Sequence, residues 1–141
     1  VVFDGSLRDL DGLAQIEGFN AFVRGWHPSY IEGMMVGGIN TPIRIGEAVV
    51  LPGDVVLAKR EGVLFIPAHL AVEVVETAEI VMLRDRFGIQ RLNEGTYTAG
   101  QIDSRWTEEI RADFFGWLEA NIDTLPVPRE RIQQIITDRN W

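Results

Sequence analysis

The sequence predicts an α/β chain whose strands come first and whose helices come last. Residues 1–66 are dense in short apolar, β-branched runs separated by Gly, Pro and Asp turn signals. From Pro67 onward the apolar residues instead recur at helical spacing. The length of 141 residues, with 46% hydrophobic and 24% charged content, suits one globular domain able to bury a core.

In chain order, residues 1–3 read as the end of a buried strand closed by the turn signal Asp4-Gly5. Asp9 and Leu10 then open a helix-like run through Ile16. Residues 19–24 form a second strand, stopped by Gly25 and His27-Pro28. Residues 31–38, rich in Met and Gly, read as a strand and a flexible turn. Residues 42–46 and 48–51 are strands, Pro52-Gly53-Asp54 is a tight turn, and residues 55–58 and 62–66 make a hairpin around Lys59-Arg60-Glu61. This region is expected to be buried sheet. Pro67 is a favourable helix start, and Gly88 is expected to end that helix near Phe87. Residues 95–104 read as a polar connector, after which Asp103 or Ser104 caps a helix over residues 105–121. Trp106, Ile110, Phe114, Trp117 and Leu118 share one face of it, as a packing face or a clasp between subunits. Leu125-Pro126-Val127-Pro128 breaks the chain before a last helix from Arg129 to Asp138. The expected domains are a core over residues 1–95 and a helical extension over residues 96–141.

Composition removes several functions. The net charge of −8 argues against a nucleic-acid backbone as partner. The absence of cysteine excludes disulfides, thiolate nucleophiles and Cys-based zinc sites. No apolar run approaches the roughly 18 residues of a membrane span, so no membrane partner and a cytoplasmic location are expected. Lys59 is the sole lysine, and it sits in a charged hairpin sequence that suits solvent better than the desolvated pocket of a Schiff-base nucleophile. His27 and His69 lack a second ligand at helical spacing, and Gly37-Gly38 lacks the later glycine of a dinucleotide loop.

The most informative feature is the adjacent pair Arg8-Asp9, where a strand hands over to a helix. By itself this is an ordinary charged helix start. Its neighbours give it more meaning. Asp4-Gly5-Ser6-Leu7-Arg8-Asp9 resembles the Asp-Gly-x-x-Arg-Asp signature of the RraA-like family. Phe22-Val23-Arg24-Gly25 with Pro28, residues 41–46 followed by Pro52-Gly53-Asp54, and Glu61-Gly62-Val63 with Ile66-Pro67 resemble further words of that family in the same order. The resemblance spans about residues 1–85, and it reads as the family's C-terminal part. The upstream half would then be supplied by another segment or chain, or the chain would be a fragment.

The resemblance implies a swivelling β/β/α core, a homotrimer or hexamer, and a site at a subunit boundary. It also implies a divalent-metal aldolase- or decarboxylase-like lyase acting on a small 2-oxo acid and releasing pyruvate. Arg8 would bind the carboxylate or keto oxygen of the pyruvate moiety and Asp9 would ligate Mg²⁺ or Mn²⁺; both count as catalytic. One departure stands out, because Lys59 occupies a position that is acidic in the family. The rival reading is a non-catalytic regulator that binds an RNA-processing nuclease or another protein. A methyltransferase reading finds no glycine-rich nucleotide loop.

Overall fold

The computed structural model describes residues 1–138, which fall into two compact units, Val1–Ala71 and a second that starts at Val72. The last residues of the expected extension, 139–141, lie outside the described residues. The first unit is mixed β/α and the second is helical, so the broad α/β expectation holds.

The first unit opens with a β-α-β step. Strand β1 (Val2–Leu7) leads into the short helix α1 (Leu10–Ala14) and then into β2 (Phe22–Trp26), which pairs parallel to β1. Two antiparallel pairs complete the strand set: β3 (Ile43–Ile45) with β4 (Ala48–Val50), and β5 (Val55–Lys59) with β6 (Gly62–Ile66). Both antiparallel pairs turn over two residues, Gly46-Glu47 and Arg60-Glu61. Gly46 takes the positive φ of 57° that a tight hairpin turn demands. Pro52 and Gly53, the latter at φ 96°, place a type II-like turn between the pairs, and the Asp54 carboxylate accepts from Leu51 N–H at 2.8 Å.

Several expectations change here. Asp4-Gly5 does not close the first strand. The pairing register moves from Phe3↔Val23 to Ser6↔Gly25, so one extra residue on β1 is absorbed as a bulge and the strand continues to Leu7. A turn signal inside a strand is how a bulge reads in sequence. Residues 31–38 form no strand. The sheet is also not buried: the strands make three separate two-stranded ribbons, and Val50 alone in this unit is buried among the described residues. Each ribbon lacks a packed layer, so Val55, Val56, Leu57 and Leu64 remain exposed.

The second unit is built on α2 (Ala71–Asn93), α3 (Ala99–Ile102), α4 (Glu108–Asn121) and α5 (Arg129–Asp138), with a 3₁₀ turn over Ala68–Leu70 just before α2. Leu83 and Phe87 of α2 pack with Trp106, with Ile110, Phe114, Trp117 and Leu118 of α4, and with Ile132 and Ile135 of α5. The aromatic stripe is therefore a packing face within its own unit. No helix among the described residues is long and apolar enough to cross a membrane.

Helix α2 does not stop at Gly88. It runs five residues further, to Asn93, and is closed just beyond by Gly95, whose φ of 72° allows a Schellman closure in which Thr96 N–H donates to Arg91 C=O at 2.9 Å. Gly88 has a packing role instead. A Cβ there would lie 2.7 Å from Ile102 Cγ2, so α3 is able to approach because the side chain is absent. The expected connector contains α3 itself, closed by a capping box between Thr98 and Gln101. Thr107, not Asp103 or Ser104, caps α4, because Trp106 precedes the helix and its indole N–H donates back to Ile102 C=O at 2.8 Å.

Gly88→Ala should lower the stability of the second unit by about 1–2 kcal/mol in urea denaturation, because the overpacking against Ile102 exceeds the gain in helix propensity. A neutral or stabilising result would show that Ile102 moves aside freely.

Candidate functional site

The first unit positions its charged residues through the β1–β2 pair. Leu7 and Trp26 are the last paired residues, and His27 N–H then donates to Leu7 C=O at 2.8 Å. Arg8, Asp9 and His27 are thereby gathered at the carboxyl ends of two parallel strands. Ligands of open α/β sheets bind at such edges.

Arg8 Nε donates to Asp9 Oδ2 at 3.0 Å, and both side chains are largely exposed, at 51% and 68%. An exposed pair of this kind adds little stability. The backbone at Asp9 is left-handed, with φ 61° and ψ 42°. That conformation is uncommon outside glycine, although Asp tolerates it better than most residues. Asp9 C=O accepts from Leu13 N–H at 2.9 Å, but its side chain makes no capping hydrogen bond to α1. The carboxylate is thus turned to its neighbour Arg8 and not to the helix it precedes. Among the described residues the ion pair occupies only Nε of Arg8, which leaves the two terminal amino groups to receive a planar oxyanion.

A second charged cluster, not anticipated from the sequence, holds the bulge. Asp4 accepts from Arg24 Nε on β2 and from Gly46 N–H at 2.9 Å in the β3–β4 turn. The Arg24 hydrogen bond, followed by that of Gly46, holds the Asp4 carboxyl below the usual carboxylate range, and Asp4 in turn raises Arg24. Both residues lie in stretches already notable in the sequence. What was missing was the pairing, which depends on the bulge bringing Asp4 opposite a turn 42 positions away. The same residues line an open cleft of about 410 Å³ with Phe3, Ile45 and Phe65.

Lys59 ends β5 in an exposed hairpin and is paired in register with Gly62, while His69 lies in the 3₁₀ turn before α2. No group of three His, Cys, Asp or Glu side chains among the described residues is arranged to hold a metal ion. The Asp9 carboxylate is a hard oxygen donor of the kind Mg²⁺ and Mn²⁺ take, and no second and third donor of the same kind stand with it among the described residues.

Comparison with known proteins places this geometry in context. The RraA-like family, described as aldolase/RraA, matches residues 1–65. The uncharacterized protein MJ0644 of Methanocaldococcus jannaschii is 26% identical over 95 residues, covering 67% of this chain and 45% of that protein. The chain thus spans a little under half the length of this curated relative. No solved structure matches the chain significantly.

The match corrects the expectation that the chain represents the C-terminal part of an RraA-like protein, and that the likeness reaches about residue 85. It lies in the N-terminal half of this chain and ends at residue 65. The physical reason is plain in the sequence: every quoted word lies at or before Pro67, and α2 beyond it serves the helical core of the second unit. Residues 1–65, which contain Arg8, Asp9, Asp4 and Arg24, carry a partial likeness to the RraA-like family.

Proposed function

We propose that the first unit is the working part of a divalent-metal-dependent aldolase- or decarboxylase-like lyase, acting on a small 2-oxo acid and releasing pyruvate. The observation that carries this reading is the exposed Arg8–Asp9 pair at the carboxyl ends of parallel strands, within the stretch of RraA-like likeness. Arg8 binds the substrate carboxylate through its free amino groups and orients the adjacent keto group. Asp9 would hold Mg²⁺ or Mn²⁺ through its carboxylate. When bound, such an ion would supply positive charge to offset the negative charge that develops on the keto oxygen as the carbon–carbon bond breaks. The proposed scaffold is a swivelling β/β/α core assembled as a trimer or hexamer. The exposed apolar strands of this unit support an assembly that covers them.

The rival reading is a non-catalytic regulator that binds a nuclease or another protein partner, and it needs no cluster of metal ligands, none of which is found among the described residues. Pyruvate release from 4-hydroxy-4-methyl-2-oxoglutarate, with and without EDTA, separates the two. The lyase reading expects EDTA to abolish turnover and Asp9→Asn to lower it by roughly tenfold or more. Turnover that survives EDTA, or an Asp9→Asn protein of unchanged rate, would overturn the metal role. No turnover at all would favour the regulator.

A further inference from the structure

The ring of His27 has no part in the mechanism above, yet the backbone sets it beside the charged pair. His27 N–H donates to Leu7 C=O at 2.8 Å, one residue beyond the Leu7↔Trp26 pairing. His27 is therefore the β2 counterpart of Arg8. Two constraints fix it. Pro28 restricts the preceding residue to extended backbone, and His27 Nδ1 accepts from Ser29 N–H at 3.3 Å. With Nδ1 accepting, the neutral ring of this exposed residue carries its proton on Nε2, which is then a donor.

We infer that His27 is a specificity residue of the Arg8–Asp9 site, donating its Nε2–H to the second carboxylate of a 2-oxo diacid. The inference rests on the proposed role of Arg8 in holding the 2-oxo acid end. Adjacent parallel strands stand about 4.8 Å apart, close to the separation of the two carboxylates in a four- or five-carbon diacid. Asp9 is paired with Arg8, so its charge is offset where a second anion approaches. A 2-oxo monoacid would use Arg8 alone and leave His27 to solvent. The site thus separates diacids from monoacids by one charge-assisted hydrogen bond.

Titration calorimetry of the full chain in excess Mg²⁺, with pyruvate and with 2-oxoglutarate, tests this. The wild-type protein is expected to bind 2-oxoglutarate about tenfold more tightly than pyruvate, the scale of one hydrogen bond to a charged group. His27→Ala should bring the two affinities together while leaving pyruvate within about twofold, and His27→Gln, which keeps a donor, should retain part of the preference. Arg8→Ala should lose both ligands. A preference unchanged in His27→Ala, or pyruvate and 2-oxoglutarate weakened equally in a variant of native circular dichroism, would overturn the role of His27 and leave that of Arg8 standing. A wild-type protein that binds neither acid would overturn both.

Discussion

Phe87→Ala is expected to destabilise the helical unit by about 3–5 kcal/mol, the range for removing a fully buried aromatic ring. Phe87 has no exposed surface. Its ring centroid lies 5.4 Å from those of Trp106 and Phe114, 5.8 Å from Trp117 and 6.4 Å from Tyr97, mostly in tilted or edge-on arrangements. Each contact adds a little beyond area burial, so the loss combines a cavity with several broken aromatic pairs. The substitution also undercuts Arg91, whose guanidinium lies 5.3 Å from the Phe87 centroid. Urea denaturation followed by tryptophan fluorescence reads the effect through Trp106 and Trp117. Phe87→Leu should recover more than half of the loss, because it refills most of the volume. A Phe87→Ala loss below about 1 kcal/mol would mean that neighbouring rings collapse into the space.

The helical unit was the more legible half because one rule governs it. Trp106, Ile110, Phe114, Trp117 and Leu118 recur at helical spacing, and all five are buried. The misreadings came where tertiary contact overrode local preference. Gly88 reads as a helix end, but its missing side chain admits Ile102, and the interior position is kept for packing. Asp103 and Ser104 are better caps by residue type than by position, since the return of Trp106 to Ile102 delays the helix to Thr107. In the strand unit the individual strands from Ile43 to Ile66 were readable from their turn residues. Their burial was not, because burial depends on what covers a strand, and strand-forming residues describe only the fit to a pleated surface.

The candidate site was legible as residues and not as a network. Arg8 and Asp9 could be picked out as adjacent charges after an apolar strand, and the structure places them at the end of β1 as that position requires. The left-handed backbone at Asp9 leaves no sequence trace, because Asp occupies such a conformation without the glycine that would announce it. His27 has no partner at helical spacing along the chain, and only the strand it follows hints at a place near the site. Parallel pairing, which brings it beside Leu7 and Arg8, is a relation across 20 positions. Asp4, Arg24 and Gly46 were hidden for the same reason.

Arg91→Leu is expected to cost the helical unit about 2–3 kcal/mol near pH 7, and much less in acid, because it strands a partly buried carboxylate. Arg91 grips Asp113 with two hydrogen bonds, Nε to Oδ2 at 2.8 Å and Nη2 to Oδ1 at 2.6 Å, and its Nη1 reaches Glu94 at 2.8 Å. The Arg91 and Asp113 side chains are 18% and 27% exposed, so the pair is sheltered without being fully desolvated. The Arg91 hydrogen bonds pull the Asp113 carboxyl below its ordinary value against the opposing effect of burial. A carboxylate depressed in the folded state adds stability that is fully present above the unfolded value of about 3.9 and is lost as pH falls through the lower folded value. The wild-type unit should therefore lose stability from about pH 5 downward, with Asp113 as one contributor. Arg91→Leu removes the largest source of the depression and leaves only the hydrogen bond of Tyr97. Its stability should fall less steeply over the same range, and the two urea midpoints should approach each other as pH falls below the unfolded value and through the lower folded one. A difference that stays constant from pH 7 to pH 3 would assign the cost to the lost packing of the Arg91 stem over Phe87 instead of the ion pair.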